Sequence, residues 1–156
     1  MPSCFRIAMA AAIAITLSGY VARDARAEMR VDPCSLLTPA QIATAAGAHF
    51  AAGTPIGTTG CSWSATEAVG SKKPIVTVSL WPGSDWTKLQ TPLPGVTKSS
   101  VSGLGDGAMS ATIGGFTSLY VLKGTTIYLV KIYGVPGQDK QVSIEKELGT
   151  DLLAKV

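Results

Sequence analysis

The 156-residue sequence is poor in the residues from which catalytic and metal centres are usually built. It contains a single histidine, His49, and no Cys-x-x-Cys pair. A structural zinc site needs four ligands, mostly cysteine and histidine, and one imidazole cannot supply enough of them. A lone histidine that follows a helix is more typical of a surface residue than of a metal ligand. We therefore expect neither a metal nor another cofactor.

Signatures of nucleophilic catalysis are also missing from the sequence. No Gly-x-Ser-x-Gly element provides a nucleophile elbow, so a serine hydrolase would depend on His49 as its base without a recognisable serine. Acid and base carboxylates could come from Glu67, Asp85 and Asp106, but their spacing does not link them. We expect a protein that is not an enzyme, and a secreted hydrolase is the alternative.

Runs of positive charge are short. Beyond the first residues the longest is Lys72-Lys73, and the formal net charge of +3 comes partly from the N-terminal arginines. A nucleic-acid-binding protein needs a concentrated basic surface. The glycine-rich stretch from Gly103 to Gly107 lacks the Lys-Ser/Thr ending of a phosphate-binding loop and favours a tight turn. Nucleic acid is therefore not an expected partner.

The one long apolar run lies at the N-terminus and is typical of an export signal. Arg6 precedes an apolar segment from Ile7 to Val21, and Ala25-Arg26-Ala27 is a cleavage site before Glu28. The apolar core is shorter than the roughly 20 residues of a spanning helix, so we expect no stable membrane insertion after cleavage. We predict a signal peptide over 1–27 and one periplasmic or secreted domain over 28–156. A retained signal anchor is the weaker alternative.

After removal of the signal peptide, two cysteines remain, Cys34 and Cys61. An even pair in an exported domain predicts a disulfide. A loop of this length would stabilise the fold by roughly 3 to 4 kcal/mol in the chain-entropy model. A redox-active pair is the alternative, and it lacks the close spacing that such pairs have.

The sequence predicts helices at both ends of the exported domain. Thr38 followed by Pro39 and Gln41 predicts the capped start of a helix that ends at Gly47. Residues 138–156 predict the closing helix, with an apolar stripe of Ile144, Leu148, Leu152 and Val156. Gly149 lies inside that helix and costs about 1 kcal/mol relative to alanine.

Between the helices the patterns are those of strands. Cys61–Ala65, Pro74–Trp81 and Ala108–Ile113 each alternate, and Phe116–Leu122 and Thr125–Tyr133 predict a hairpin around a Lys123-Gly124 turn. Residues 51–60 and 91–102 are predicted to be loops, the second exposed and mobile. The expected fold is therefore α+β, with an antiparallel sheet of about five strands, an N-terminal and a C-terminal helix packed on it, and one disulfide.

Three short elements of the exported domain are Asp-Pro-Cys-Ser-Leu-Leu-Thr-Pro-Ala-Gln at 32–41, Gly-Cys-Ser-Trp at 60–63 and Gly-Leu-Gly-Asp-Gly-Ala at 103–108. Together with the closing hairpin and helix, they resemble a family of uncharacterised bacterial cell-envelope lipoproteins with a domain of unknown function. Such domains are similar to extracytoplasmic sensor modules, which implies a sheet packed by helices and the Cys34–Cys61 disulfide. The resemblance implies no catalytic residues. Tyr20 stands where the lipobox of this family has its cysteine, which argues against lipid attachment.

The hairpin has apolar residues on both sides, more than an antiparallel sheet with one face in water should show. One side carries the candidate binding residues Phe116, Tyr120, Ile127, Leu129 and Tyr133. Aromatic side chains suit binding surfaces because they combine large contact area with a polar tip. We expect a non-catalytic module that binds a small ligand or an envelope protein. Two alternatives stay open: these residues are core, or the protein is an inhibitor or accessory subunit presenting the loop at 91–102.

Overall fold

The computed structural model describes residues 31–156, so the predicted signal peptide and Tyr20 lie outside the described residues. A 3-10 turn, Pro33–Ser35, leads into helix α1, Pro39–Ala46. A second 3-10 turn, Gly83–Asp85, precedes the short helix α2, Trp86–Gln90. Helix α3, Gln138–Leu153, closes the chain. The α+β class and the helices at both ends of the domain are confirmed.

Within the described residues the strands form one antiparallel sheet. In chain order they are β1 Thr54–Ile56, β2 Gly60–Ser64, β3 Ile75–Pro82, β4 Thr97–Val101, β5 Gly107–Ile113, β6 Phe116–Lys123 and β7 Thr126–Tyr133. Their spatial order is β1-β2-β3-β7-β6-β5-β4, so β7 lies at the centre.

The prediction of about five strands was wrong, because the sheet has seven. The two missed strands, β1 and β4, lie in the segments predicted to be loops and form the two edges of the sheet. An edge strand has one neighbour and needs little apolar surface. The polar sequence Thr-Lys-Ser-Ser-Val of β4 therefore forms a strand without an alternating pattern.

The β6–β7 hairpin is confirmed, but its register differs from the prediction by two residues. Lys123 pairs with Thr126, which places Gly124 and Thr125 in the turn. Because side chains alternate with a period of two, a shift of two residues leaves every side chain on its predicted face.

Helix α1 begins as predicted. The Thr38 hydroxyl accepts a hydrogen bond from the Gln41 N–H, the Gln41 side chain accepts one from the Thr38 N–H, and Gly47 ends the helix in the left-handed region at φ 70°. Gln41 and Thr38 thus form the capping box that the sequence indicates.

Helices α1 and α3 pack on one side of the sheet, which we call the helix face. Ile144, Leu148 and Leu152 of the predicted stripe are buried there, whereas Val156 lies beyond the end of α3 and is exposed. The other core side chains come from all layers: Leu36, Leu37, Ile42, Phe50, Trp63, Val76, Val78, Leu119, Val121, Tyr128, Val130 and Ile132.

The predicted disulfide between Cys34 and Cys61 is present, with the two Cα atoms 5.1 Å apart. Cys61 is fully buried on β2, next to Trp63 in the core. The bond therefore fastens the chain entering α1 to the helix face of the sheet.

Candidate functional site

The opposite side of the sheet, which we call the open face, carries neither α1 nor α3. Pairing of β3, β7, β6 and β5 places one set of side chains on it in register, as in Trp81 with Ile127 and Leu129 with Tyr120. Its main side chains are Ile75, Thr77, Ser79, Trp81, Met109, Ala111, Ile113, Phe116, Ser118, Tyr120, Leu122, Ile127, Leu129, Lys131 and Tyr133.

Part of the open face is covered by the chain itself. The Trp86 ring of α2 lies over Gly107 of β5, where an added Cβ would meet the ring at 3.1 Å. Lys98 of β4 donates hydrogen bonds to the carbonyls of Leu89 and Thr91, which holds the end of α2 against this side of the sheet. The prediction of a loop over 91–102 was therefore wrong for Thr97–Val101, which form β4, whereas residues 91–95 are an exposed connection.

The five candidate residues all lie on the open face but differ in burial. Ile127 and Leu129 are 0% and 5% exposed and belong to a second, smaller core. Tyr120 and Tyr133 are half-buried, and Phe116 is 51% exposed. Only the three aromatic members can therefore touch a ligand.

Trp81 joins these three aromatic residues. It is 37% exposed, and its ring meets Tyr120 edge-on with centroids 6.0 Å apart. Phe116 and Tyr133 form a second pair at 6.1 Å. We call Trp81, Phe116, Tyr120 and Tyr133 the aromatic cluster.

The ladder between β6 and β7 stops beside the aromatic cluster. The two strands pair only as far as Leu119 with Val130, although β7 continues pairing with β3 through Tyr133. The amides of Thr117 and Ile132, which would otherwise face the missing partner strand, bond to side chains of α3. We call this break in the ladder the gap, and side chains of α3 fill it from the helix face.

Gln141 fills one side of the gap. Its Oε1 accepts hydrogen bonds from the Thr117 N–H and the Thr117 hydroxyl, both at 3.2 Å, and its Nε2 donates to the Val135 carbonyl at 2.8 Å. Every polar atom of this buried amide is therefore partnered.

Glu145, one helical turn further along α3, fills the other side. Its Oε1 accepts a hydrogen bond from the Ile132 N–H at 3.2 Å, while its Oε2 is buried without a partner. The side chain is 0% exposed. Burial of this carboxyl raises its pKa to about 7, against smaller opposing effects of the Ile132 N–H, the Thr117 hydroxyl and the Lys131 charge. Since Thr117 has one hydroxyl hydrogen, it can serve either Gln141 or Glu145 at a given moment.

The charge of Glu145 affects the pKa of a residue on the open face. The pKa of Tyr120 is raised, first by burial and then by the charges of Tyr133 and Glu145. The carboxyl therefore acts electrostatically on a member of the aromatic cluster, although its own hydrogen bond is made within the sheet.

The strand residues of the open face include lysines but no carboxylates. Lys131 lies between Leu129 and Tyr133 on this side of β7, and the other lysine is the anchored Lys98. The ion pairs among residues 31–156, Lys88 with Asp85 and Lys123 with Asp106, do not include Lys131. The aromatic cluster thus has a positive charge beside it.

A cavity of about 440 Å³ lies at the open end of the gap. It is bounded by the β2–β3, β5–β6 and β7–α3 connections, with Phe116 and Gln141 in its wall. Phe116 thus belongs both to this cavity and to the aromatic cluster, so one ligand could contact both.

None of the residues weighed for hydrolysis lines the cavity at the gap. His49 is exposed after α1, beside Glu67 in a shallow cavity of about 380 Å³. Asp85 pairs with Lys88, and Asp106 accepts a hydrogen bond from the Gly124 N–H. Over residues 31–156, no group of three or more His, Cys, Asp or Glu side chains is placed to hold a metal ion.

Sequence reasoning named the aromatic residues but missed the polar side chains of the gap. Gln141 and Glu145 continue the spacing of Ile144 and Leu148 along α3, so they could have been placed on the packed side of the helix. Their polarity argued for solvent instead.

No protein-family model matches this chain, and neither does a curated protein or a solved structure. In the described part of the chain, no helix is both long and apolar enough to cross a membrane.

Proposed function

We propose that this protein is an exported, non-catalytic binding domain that takes a small amphipathic ligand with an acidic group on its open face. The observation that carries the proposal is the aromatic cluster beside Lys131. Phe116 and Trp81 remain accessible, whereas Phe50 and Trp63 of the helix-face core are buried. Aromatic rings contribute contact area, and tyrosine hydroxyls contribute hydrogen bonds.

Charge complementarity favours the acidic group. An anion would meet Lys131 and no carboxylate among the strand residues of this face, whereas a cation would meet unfavourable charge. The aromatic rings would contact the apolar body of the ligand, and the cavity beside Phe116 offers room for it.

Export is supported by the disulfide, because such bonds persist in oxidising compartments. The predicted signal peptide and the resemblance to cell-envelope domains point to the same compartment. We infer a periplasmic or secreted protein. An accessory subunit that binds an envelope protein is the alternative. Of the segment 91–102 that it would present, residues 91–95 are an exposed connection and Thr97–Val101 form β4.

The proposal is tested by fluorescence titration with the anionic aromatic dye anilinonaphthalene sulfonate. We expect the wild-type domain to bind the dye, and Phe116→Ala and Lys131→Gln each to weaken binding about tenfold, since a lost contact of this kind is worth about 1.4 kcal/mol. The matched control is Val156→Ala, which truncates another exposed apolar side chain, beyond the end of α3.

Equal binding by all four proteins would contradict the proposal. A second test, independent of the dye, is native mass spectrometry of protein purified from its own envelope fraction, in which a bound natural ligand would be detected as a retained extra mass. A retained mass that Phe116→Ala loses would support the open face as its site.

A further inference from the structure

We propose that Glu145 is a proton-linked switch for the open face, which binds anionic ligands more tightly when this carboxyl is protonated. The inference rests on the proposed function, since it concerns the regulation of the same site. Its basis is the break between β6 and β7, which places a buried carboxyl directly behind the aromatic cluster.

The first step is positional. Glu145 bonds to the amide of Ile132, the residue that follows Lys131 on the central strand. Ile132 points to the helix face and Lys131 to the open face, so the Lys131 side chain leaves the strand on the side opposite to Glu145. Because the ladder is interrupted here, the Ile132 N–H bonds to Glu145 and not to β6.

The second step is electrostatic. The Lys131 charge lowers the pKa of Glu145, which means that it favours the ionised form of this carboxyl. Because Glu145 is fully buried, this interaction is screened by salt less than one between surface groups. An ionised Glu145 therefore cancels part of the field that Lys131 offers to a ligand.

Helix α3 itself carries four exposed ionisable residues, Asp139, Lys140, Lys146 and Glu147, and the half-buried Asp151. Helix α3 packs on β6, β7 and α1, and α1 contains no titratable residue. Strand β6 contributes Tyr120 and Lys123, and β7 contributes Tyr128, Lys131 and Tyr133. Lys123 pairs with Asp106 at the other end of the sheet. Lys131 is the cation whose charge lowers the pKa of Glu145. Tyr120 is the group whose pKa the charge of Glu145 raises.

The direction of the effect follows from charge. When Glu145 gains a proton, Lys131 loses its internal counter-charge, and the open face becomes more positive. By linkage, a bound anion must raise the affinity of Glu145 for its proton by the same factor. Binding should therefore tighten as the pH falls through about 7 and be accompanied by proton uptake.

The test is titration of the intact domain with anilinonaphthalene sulfonate at about one pH unit below and above the Glu145 pKa. The sulfonate stays ionised throughout, so any pH dependence belongs to the protein. We expect about fivefold tighter binding at the lower pH, the low end of typical coupling between two sites. Calorimetry in buffers of different ionisation enthalpy should show proton uptake on binding.

Two variants separate the switch from general effects of charge. Glu145→Gln is neutral at every pH and should bind as tightly as the wild type at low pH, without pH dependence or proton uptake. Glu147→Gln removes the same charge from an exposed position of the same helix and should retain the wild-type pH dependence. Circular dichroism at both pH values establishes that each variant is folded.

The outcomes distinguish the two proposals. Dye binding that is lost in Lys131→Gln but equally tight at both pH values would overturn the switch and leave the proposed function standing. A pH dependence that persists in Glu145→Gln would also overturn it. No dye binding by the wild type at either pH would contradict the proposed function, and the switch with it.

Discussion

The two faces of the sheet come from the same strands, and both carry apolar side chains, but they are covered to different extents. The helix face is closed by α1, α3 and the disulfide, and its large side chains are almost all buried. The open face is covered only in part, by α2 and the chain that follows it. Its middle is buried, as Ile127 shows, while Phe116, Trp81 and Ile113 stay accessible at its margins.

The difference teaches that apolar alternation does not by itself distinguish a core from a surface. Ile127 and Phe116 belong to the same face of the same hairpin, yet one is 0% and the other 51% exposed. The Trp86 ring of α2 lies over Gly107, which pairs with Leu122, the partner of Ile127, whereas Phe116 lies at the other end of β6. The open face is thus covered by the chain itself in one part and accessible in another, and binding of a ligand to the accessible part stays a prediction.

The largest expected effect comes from comparing the two tryptophans of the two faces. Trp63→Ala should lower the free energy of unfolding by about 4 kcal/mol, because a 1% exposed ring in the helix-face core leaves a cavity. Trp81→Ala should cost about 2 kcal/mol, through the lost burial of a ring that is 37% exposed and the lost edge-on contact with Tyr120. Urea unfolding of both variants measures the difference. Equal losses would mean that the open face is as fully packed as the helix face.

A smaller effect is expected at the gap between the faces. Glu145→Gln should stabilise the domain by about 3.5 kcal/mol above neutral pH, since the pKa of the carboxyl rises from 4.5 to about 7 on folding and each pKa unit corresponds to about 1.4 kcal/mol. The folded-state pKa of about 7 lies above the ordinary 4.5, so the folded protein holds the proton more tightly than the unfolded chain. The contribution of this group to the free energy of unfolding is therefore greatest below about pH 4.5 and is lost as the pH rises through about 7.

Unfolding curves recorded across this pH range test whether ionisation of Glu145 lowers the free energy of unfolding. The wild type should lose stability relative to Glu145→Gln as the pH rises, and the two should converge in acid. Glu147→Gln is the control, and it should follow the wild type throughout. A variant that is less stable than the wild type at neutral pH would show that the Ile132 hydrogen bond needs a charged acceptor.

The smallest effect concerns how closely α3 lies on the helix face. A Cβ at Gly149 would meet Leu119 Cδ2 at 2.8 Å, so the helix approaches the sheet at this glycine. Gly149→Ala should therefore destabilise by about 1 kcal/mol, because overpacking of about 2 kcal/mol exceeds a helix-propensity gain of about 1. Thermal unfolding measures it. An increase in Tm would show that Leu119 moves aside at little cost.

Much of the fold could be read from local patterns. Thr38 with Gln41, the two cysteines, the alternating strands and the stripe on α3 each correspond to a structural feature that depends on neighbouring residues or on one pairing. The strands β1 and β4 could not be read in this way, because an edge strand is specified by its neighbour rather than by its own apolar residues.

The candidate site was predicted in part. The faces of Tyr120, Leu129 and Tyr133 followed from period-two alternation, even with the register shifted by two residues. The gap behind them could not be predicted, since nothing in the strand sequences indicates that β6 and β7 separate after Leu119. The roles of Gln141 and Glu145 depend on that separation.

The sequence by itself determined the helix starts, the disulfide, the α+β class and which side chains share a face, because these depend on short-range geometry and on the chemistry of single residues. Tertiary structure alone decided how many strands join the sheet, which aromatic rings stay accessible and where a carboxyl is buried without a partner. Those outcomes depend on contacts between segments distant in the chain, and the free energy of such contacts is not encoded in any one segment.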